Sequence, residues 1–230
     1  MKRPDWERWG QFTTFKGNVA ELLRKELNPS QRIYCSPLVD PYQPAETARR
    51  LMPEILKAVL DTPPAAFTIQ TRGPAIERDI ELLVEVSRRT KLRVSFSVTT
   101  DDDRIRRLYE PHCESNDRRF ETIRRLCEAR IDVHATLAPL LPCNPEVLAD
   151  RAIAATNLDL IGDPLHIRQV KKTGATTREQ AWRIAGIHHH GEWFDPAFQN
   201  TIVERIRRIA ESRGRRFATG TEGFSWLARI

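Results

Sequence analysis

The sequence predicts an α/β protein built on a parallel sheet, and three observations carry that prediction. Short apolar or β-branched runs alternate with longer amphipathic stretches along most of the chain. The connections between them are polar and rich in Pro, Asp and Thr, the chemistry of strand-to-helix turns. The 230 residues fit one domain with enough chain to bury a sizeable core. Repeated βα units imply right-handed crossovers, hence a barrel or a doubly wound sheet.

The elements follow in order. Arg32 to Leu38 reads as a strand, and Asp40-Pro41-Tyr42-Gln43-Pro44-Ala45-Glu46 is the turn that ends it. Pro41 and Pro44 each fix φ, Asp40 can accept backbone N–H groups of the turn, and Pro44 suits a first helical position. A helix is expected from Ala45 to Leu60, a strand from Ala66 to Gln70, and a helix from Ile76 to Arg89 with Ile76, Ile80, Leu82, Leu83 and Val86 on one side. Leu92 to Val98 is the next strand, Asn116 to Ala129 a helix, Asp132 to Leu137 a strand, and Pro145 to Thr156 a helix capped by Asn144. Leu158 to Gly162 closes the series. Beyond it lie a polar stretch at Lys171 to Arg178, a short helix near Glu179 to Ile184, an amphipathic helix from Ala197 to Ser212 and a strand-like piece at Arg216 to Thr219.

Composition bounds the function classes. Hydrophobic residues make up 40% and charged residues 30% of the chain. No apolar run approaches the roughly 18 residues of a membrane span, and Met1-Lys2-Arg3-Pro4-Asp5 lacks the apolar region of a signal peptide, so a cytoplasmic location is expected. Four scattered cysteines, Cys35, Cys113, Cys127 and Cys143, match no zinc spacing and read as reduced thiols. The net charge of +6 permits nucleic acid as a partner. Its best candidates are Lys171, Lys172, Arg205, Arg208 and Arg215, against the simpler reading of a solvated basic face.

Several ordered motifs resemble one family. The Asp40 to Glu46 turn, Thr71-Arg72, Ser95 to Thr100 with Asp101, Tyr109-Glu110-Pro111, and Leu137-Ala138-Pro139-Leu140-Leu141-Pro142 together resemble the radical S-adenosylmethionine (SAM) proteins of the spore photoproduct lyase-like, or DNA repair photolyase-like, group. The resemblance runs from about Phe12 to Pro142. It implies an incomplete (β/α) barrel at residues 12–163 within a single domain, with its first strand missing, and a helical extension at 164–230. It also implies a lyase-like enzyme that cleaves SAM on a 4Fe-4S cluster to a 5′-deoxyadenosyl radical, with DNA or another nucleic acid as substrate.

One departure is severe. The family holds its cluster through CxxxCxxC, and this chain has no such spacing. Three readings stand: a truncated product, one half of a split enzyme with an upstream cluster-bearing fragment, or a non-catalytic basic barrel that binds nucleic acid or another partner. In each, this chain alone is expected to be inactive. Without the first strand, the edge at Arg32 to Leu38 is expected to be exposed, unless Trp6 to Lys16 covers it.

The resemblance implies site residues. Asp40, Tyr42 and Gln43 lie where the family holds the SAM amino group, and an acid there suits an ammonium. Arg72 matches a cation beside the SAM carboxylate, for which a guanidinium is apt. Ser97 resembles a SAM-contacting serine, and Ser95 shares its strand face by two-residue alternation; that face points either inward or to solvent. Glu110-Pro111 has no assigned role, and a helix-ending turn explains it equally. Cys35 is a weak candidate hydrogen donor, two residues out of register with the family's cysteine, and reads better as a core thiol. His188, His189 and His190 with Glu192 are not expected to form a metal site, because consecutive residues do not share a helix face. Trp193 and Phe194 either stack on a base or pin the C-terminal segment.

Overall fold

A computed structural model describes residues 14, 16–35, 39–165 and 177–229, without the side chains of 177–180. The expected Lys171 and Lys172 contacts, and Trp6 to Thr13 of the proposed edge cover, lie outside the described residues. Helix α1 spans Val19–Glu26 and strand β1 Arg32–Cys35; α2 (Pro44–Arg49) and α3 (Leu51–Asp61) follow, then β2 (Ala66–Thr71). A 3-10 turn at Pro74–Asp79 leads into α4 (Ile80–Ser87) and β3 (Lys91–Ser97). Helices α5 (Asp103–Tyr109) and α6 (Asn116–Glu128) precede β4 (Val133–Leu140), α7 (Pro145–Ala155) and β5 (Leu160–Pro164). The chain ends with α8 (Thr177–Ile187), a 3-10 turn at Gly191–Phe194, α9 (Pro196–Ser212), β6 (Phe217–Thr219) and α10 (Gly220–Ser225).

The six strands form one sheet in sequence order, β1 to β6, and every neighbouring pair is parallel. This is a partial parallel β/α barrel, as expected. Its helix-facing side carries Phe67, Ile69, Leu92, Val94, Phe96, Val133, Ala135 and Leu160, which pack with Leu56, Leu83, Ile123 and Leu148 in the main core. Strand alternation sends the intervening residues to the other side. Register aligns Gln70, Ser95 and His134 across β2, β3 and β4, and Ser97 with Thr136 one step further on. These residues line the concave interior. Ser95 and Ser97 are buried there, which excludes the solvent-facing alternative.

One expected helix is broken in the structure. The helix expected over Ala45 to Leu60 breaks at Arg50, whose φ is 52°, in the left-handed region. Pro53 causes the break: it has no N–H for the Arg49 carbonyl and its ring clashes with a continuing turn, whereas it is tolerated in the first turn of a new helix. Glu46 caps that new helix, accepting N–H bonds from Leu51 (3.0 Å) and Met52 (2.9 Å). The strand-like piece near Arg216 is the sixth strand of the sheet, paired with β5 through Leu160, Ile161 and Gly162.

Among the described residues β1 pairs only with β2. The C-terminal residues lie against this side of the interior: Thr68 donates to the Leu227 carbonyl at 2.8 Å, and Arg93 donates to the Arg229 carbonyl. Phe224, Leu227 and Ala228 face Arg32 to Tyr34 across a cavity of about 80 Å³. Trp226 and Leu227 pack on Ile161 and Ala218, giving the β5–β6 side of the interior an apolar filling.

Candidate functional site

The site is built at the C-terminal ends of β1, β2 and β3, where parallel α/β folds place ligands. Asp40 joins the first two. Its Oδ1 accepts from the Tyr42 N–H (2.9 Å) and the Thr71 hydroxyl (2.6 Å), and its Oδ2 accepts from the Arg72 N–H (2.8 Å). The carboxylate therefore fixes both its own turn and the backbone of Arg72. The Tyr42 hydroxyl, fully sequestered, donates to Asp79 at 3.1 Å, while Arg78 bridges Asp79 and Glu46. Asp40, Tyr42 and Glu46 of this turn thus each hold a neighbouring element, and the Gln43 backbone N–H closes the turn on the Asp40 carbonyl. Gly73 passes so close that an added Cβ would stand 2.6 Å from the Tyr42 carbonyl oxygen.

A buried ionic network continues from Arg72. Its Nη1 pairs with Glu110, whose other oxygen accepts from Arg119 Nη1 (2.8 Å) and the Thr99 hydroxyl (2.9 Å). Arg119 has no exposed surface, and it also donates to the Ser97 carbonyl from Nε (3.2 Å) and Nη2 (2.5 Å). Burial alone would push the Glu110 carboxyl up, but the Arg119 and Arg72 guanidiniums and their hydrogen bonds hold it below its ordinary value. The network ties Arg72, just after β2, to the Ser97 carbonyl on β3. Sequence reasoning missed Glu110 and Arg119 as site residues. The Glu110-Pro111 motif was the available signal, whereas Arg119 is one of many arginines on its helix.

Ser95 is satisfied by the Thr136 hydroxyl at 2.6 Å, yet the Ser97 hydroxyl is buried with no partner among the described residues. Buried polar groups are almost always paired, so such an exception calls for an explanation. Beside the network lies a cavity of about 380 Å³ lined by Asp40, Tyr42, Gln43, Arg72, His112 and Glu114 among others. That volume falls within the roughly 300–1,000 Å³ of small-molecule sites. Asp40, Tyr42, Gln43 and Arg72 share this cavity, whereas Ser95 and Ser97 face the strand interior, and the Ser97 carbonyl is joined to Arg72 through Arg119 and Glu110.

The remaining candidates fall elsewhere. Burial, with Asp40 nearby, pushes the Cys35 thiol up to about 12, so it stays protonated. His190 Nδ1 lies 3.2 Å from the Tyr109 hydroxyl, and its ring is 6.1 Å from that of His188. Trp193 packs edge-on against Phe198 at 5.3 Å and is buried, the pinning geometry. Arg205 forms a two-pronged pair with Glu146 (both 2.7 Å), and Arg215 donates to the Thr156 carbonyl (3.1 Å). These two cations are engaged by the protein itself, while Arg208 is exposed.

The groups implied by the resemblance can be tested against these residues. A 4Fe-4S cluster needs converging thiolates. Among the described residues no three His, Cys, Asp or Glu side chains come together, and burial raises all four thiols, Cys127 to about 11. The cluster does not fit this chain's cysteines. SAM fits better: its zwitterionic methionine end has an acid and a guanidinium on one cavity, and an unpartnered buried hydroxyl stands on the adjoining strand.

No family model matches the chain. An uncharacterized protein of Mycobacterium tuberculosis is 28% identical over 209 residues, covering 83% of this chain and 61% of its own length. An uncharacterized protein of Methanocaldococcus jannaschii is 25% identical over 138 residues, covering 60% and 51%. This chain therefore spans little more than half the length of these relatives. Among solved structures, spore photoproduct lyase complexed with dinucleoside spore photoproduct aligns at a TM-score of 0.57 and 12% identity, over 88% of this chain and 65% of the lyase. The same enzyme in a second solved form aligns at 0.55 and 12%, over 87% and 64%. At that identity the likeness establishes the fold: a partial β/α barrel of the kind seen in spore photoproduct lyase.

Proposed function

We propose that this chain is the SAM-binding portion of a radical SAM protein related to spore photoproduct lyase, without the cluster-binding loop. The observation that carries the reading is one connected arrangement: Asp40 and Arg72 line one cavity, and Arg72 is linked through Glu110 and Arg119 to the strand bearing the unpartnered Ser97 hydroxyl. Asp40 would face the SAM ammonium and Arg72 its carboxylate. Bound SAM supplies the reactive carbon and sulfonium; the protein orients it and keeps water away. The enzyme class is radical SAM lyase-like, and a nucleic-acid lesion is the substrate class that the fold likeness suggests.

The scattered, protonated cysteines favour a second reading, a non-catalytic barrel derived from that family that binds nucleic acid or a partner protein. Anaerobic reconstitution with iron and sulfide, combined with equilibrium dialysis of labelled SAM, separates the two. Saturable SAM binding by the iron-free chain, with a cluster assembling only when an upstream cysteine-bearing fragment is added, supports the first. Absence of SAM binding supports the second, and a stable cluster on the isolated chain overturns the assignment of its cysteines.

A further inference from the structure

Glu110 is the buried group whose geometry extends furthest beyond that reading. It lies in the turn after α5, yet its two oxygens connect the segments that follow β2 and β3 with α6. The two arginines it bridges are not equivalent. The Arg119 side chain is fully buried and locked on the Ser97 carbonyl, whereas the Arg72 side chain retains 35% exposure and lines the cavity. One carboxylate thus neutralises an inner cation completely enclosed by protein and holds an outer cation that faces open space.

Arg72 is fixed at two points. Its backbone N–H is held by Asp40 and its Nη1 by Glu110, while the Cys113 thiol lies against the same guanidinium. The guanidinium carries more N–H donors than these partners use, in a rigid fork matched to a carboxylate. A long, exposed arginine would otherwise lose rotamer entropy when it orders on a ligand; a side chain already held gives up less.

We infer that Glu110 is a positioning residue that aims the Arg72 guanidinium into the cavity, so that the site discriminates ligands bearing a carboxylate from those lacking it. The inference rests on the SAM reading and adds to it the group that sets the arginine's direction. Neighbouring Thr99 and Arg119 act through Glu110 in the same way, Thr99 by donating to its Oε2 and Arg119 by closing the ion pair behind it.

The test compares SAM with decarboxylated SAM by isothermal titration on the full chain, using wild type, Glu110→Gln, Arg72→Ala and the double variant. Wild type is expected to favour SAM, and each single variant to lose about tenfold or more of that preference, the scale of one charge-assisted hydrogen bond. The double variant is expected to lose no more than Arg72→Ala. Affinity for decarboxylated SAM should fall less than affinity for SAM in Glu110→Gln, a variant that keeps the side-chain shape and an oxygen for Thr99 or Arg119. An equal fall for both ligands would assign Glu110 a merely structural role, and an undiminished preference would show that Arg72 is aimed without it; either overturns the inference. Failure of wild type to bind either ligand would instead overturn the SAM reading itself. Circular dichroism melts identify any variant that fails to fold, and Glu110→Asp then serves as the second variant, expected to retain part of the preference.

Discussion

Replacing Arg119 by Met tests the buried network most sharply. The substitution keeps an unbranched side chain but removes the cation that pairs with Glu110 and the two donors to the Ser97 carbonyl. Breaking a buried ion pair by deleting one partner costs about 3–5 kcal/mol, because the other charge stays buried and under-compensated. The Arg72 partner of Glu110 and the Thr99 hydroxyl remain, which argues for the lower half of that range. For a chain of this size about 3 kcal/mol lowers the melting midpoint by roughly 6–12 °C. Urea unfolding at neutral pH measures it, with Glu110→Gln and the double variant completing a cycle. Directly interacting residues should show a coupling energy of about 1–3 kcal/mol, since Glu110→Gln removes the charge that Arg119→Met strands. A loss below about 1 kcal/mol for Arg119→Met, or additive effects in the cycle, would refute the reasoning.

Other predictions follow from the same structure. Glu110, Glu77 and Asp103 are held below their ordinary values, Glu110 by Arg119 and Arg72, Glu77 by Arg118, Thr122 and Arg125, and Asp103 by the Asn116 N–H and Arg106, in each case against burial. Their stabilisation is therefore complete above the ordinary carboxylate range and lost as pH falls through the folded values; acid titration of the urea midpoint should show this limb, shallower in Glu110→Gln. Burial lowers His134, so as pH drops below about 6.5 the unfolded chain binds a proton that the folded chain resists, and stability should decline there, less steeply in His134→Gln. Gly73→Ala should destabilise the chain by about 1–3 kcal/mol in a thermal melt, because the methyl group meets backbone rather than a yielding side chain. Finally, Cys35 and Cys127, pushed up to about 12 and about 11 largely by burial, should react far more slowly with an aromatic disulfide at pH 8 than they do in the unfolded chain.

The parallel βα architecture was legible because two-residue alternation and strand-helix spacing survive in the sequence, while the choice of a barrel over a doubly wound sheet came from the motif resemblance. Val94 and Phe96 against Ser95 and Ser97 separate two faces without naming the inner one; only register with Gln70 and Thr136 decides that. The Asp40 turn was read correctly as a bonded cap, since Asx-type bonding is local. Its reach to Thr71 and Arg72, thirty-odd residues away, is tertiary and leaves no local trace. Glu110 illustrates the same limit: a Glu before Pro reads as a helix-ending turn, and nothing in its neighbours reveals that Arg72 and Arg119 converge on it. The break at Arg50 was missed because Pro53 was absorbed into an otherwise periodic run. Arg205 and Arg215 read as a basic surface, but Glu146 and the Thr156 carbonyl, distant in sequence, engage them.

The central claim is that the end of this barrel bearing Asp40 and Arg72 holds SAM. A crystal structure of the chain grown with SAM tests it most directly. The account predicts density for the methionine end between Asp40 and Arg72. SAM bound elsewhere, or Arg72 turned away from a ligand that occupies the cavity, would contradict it.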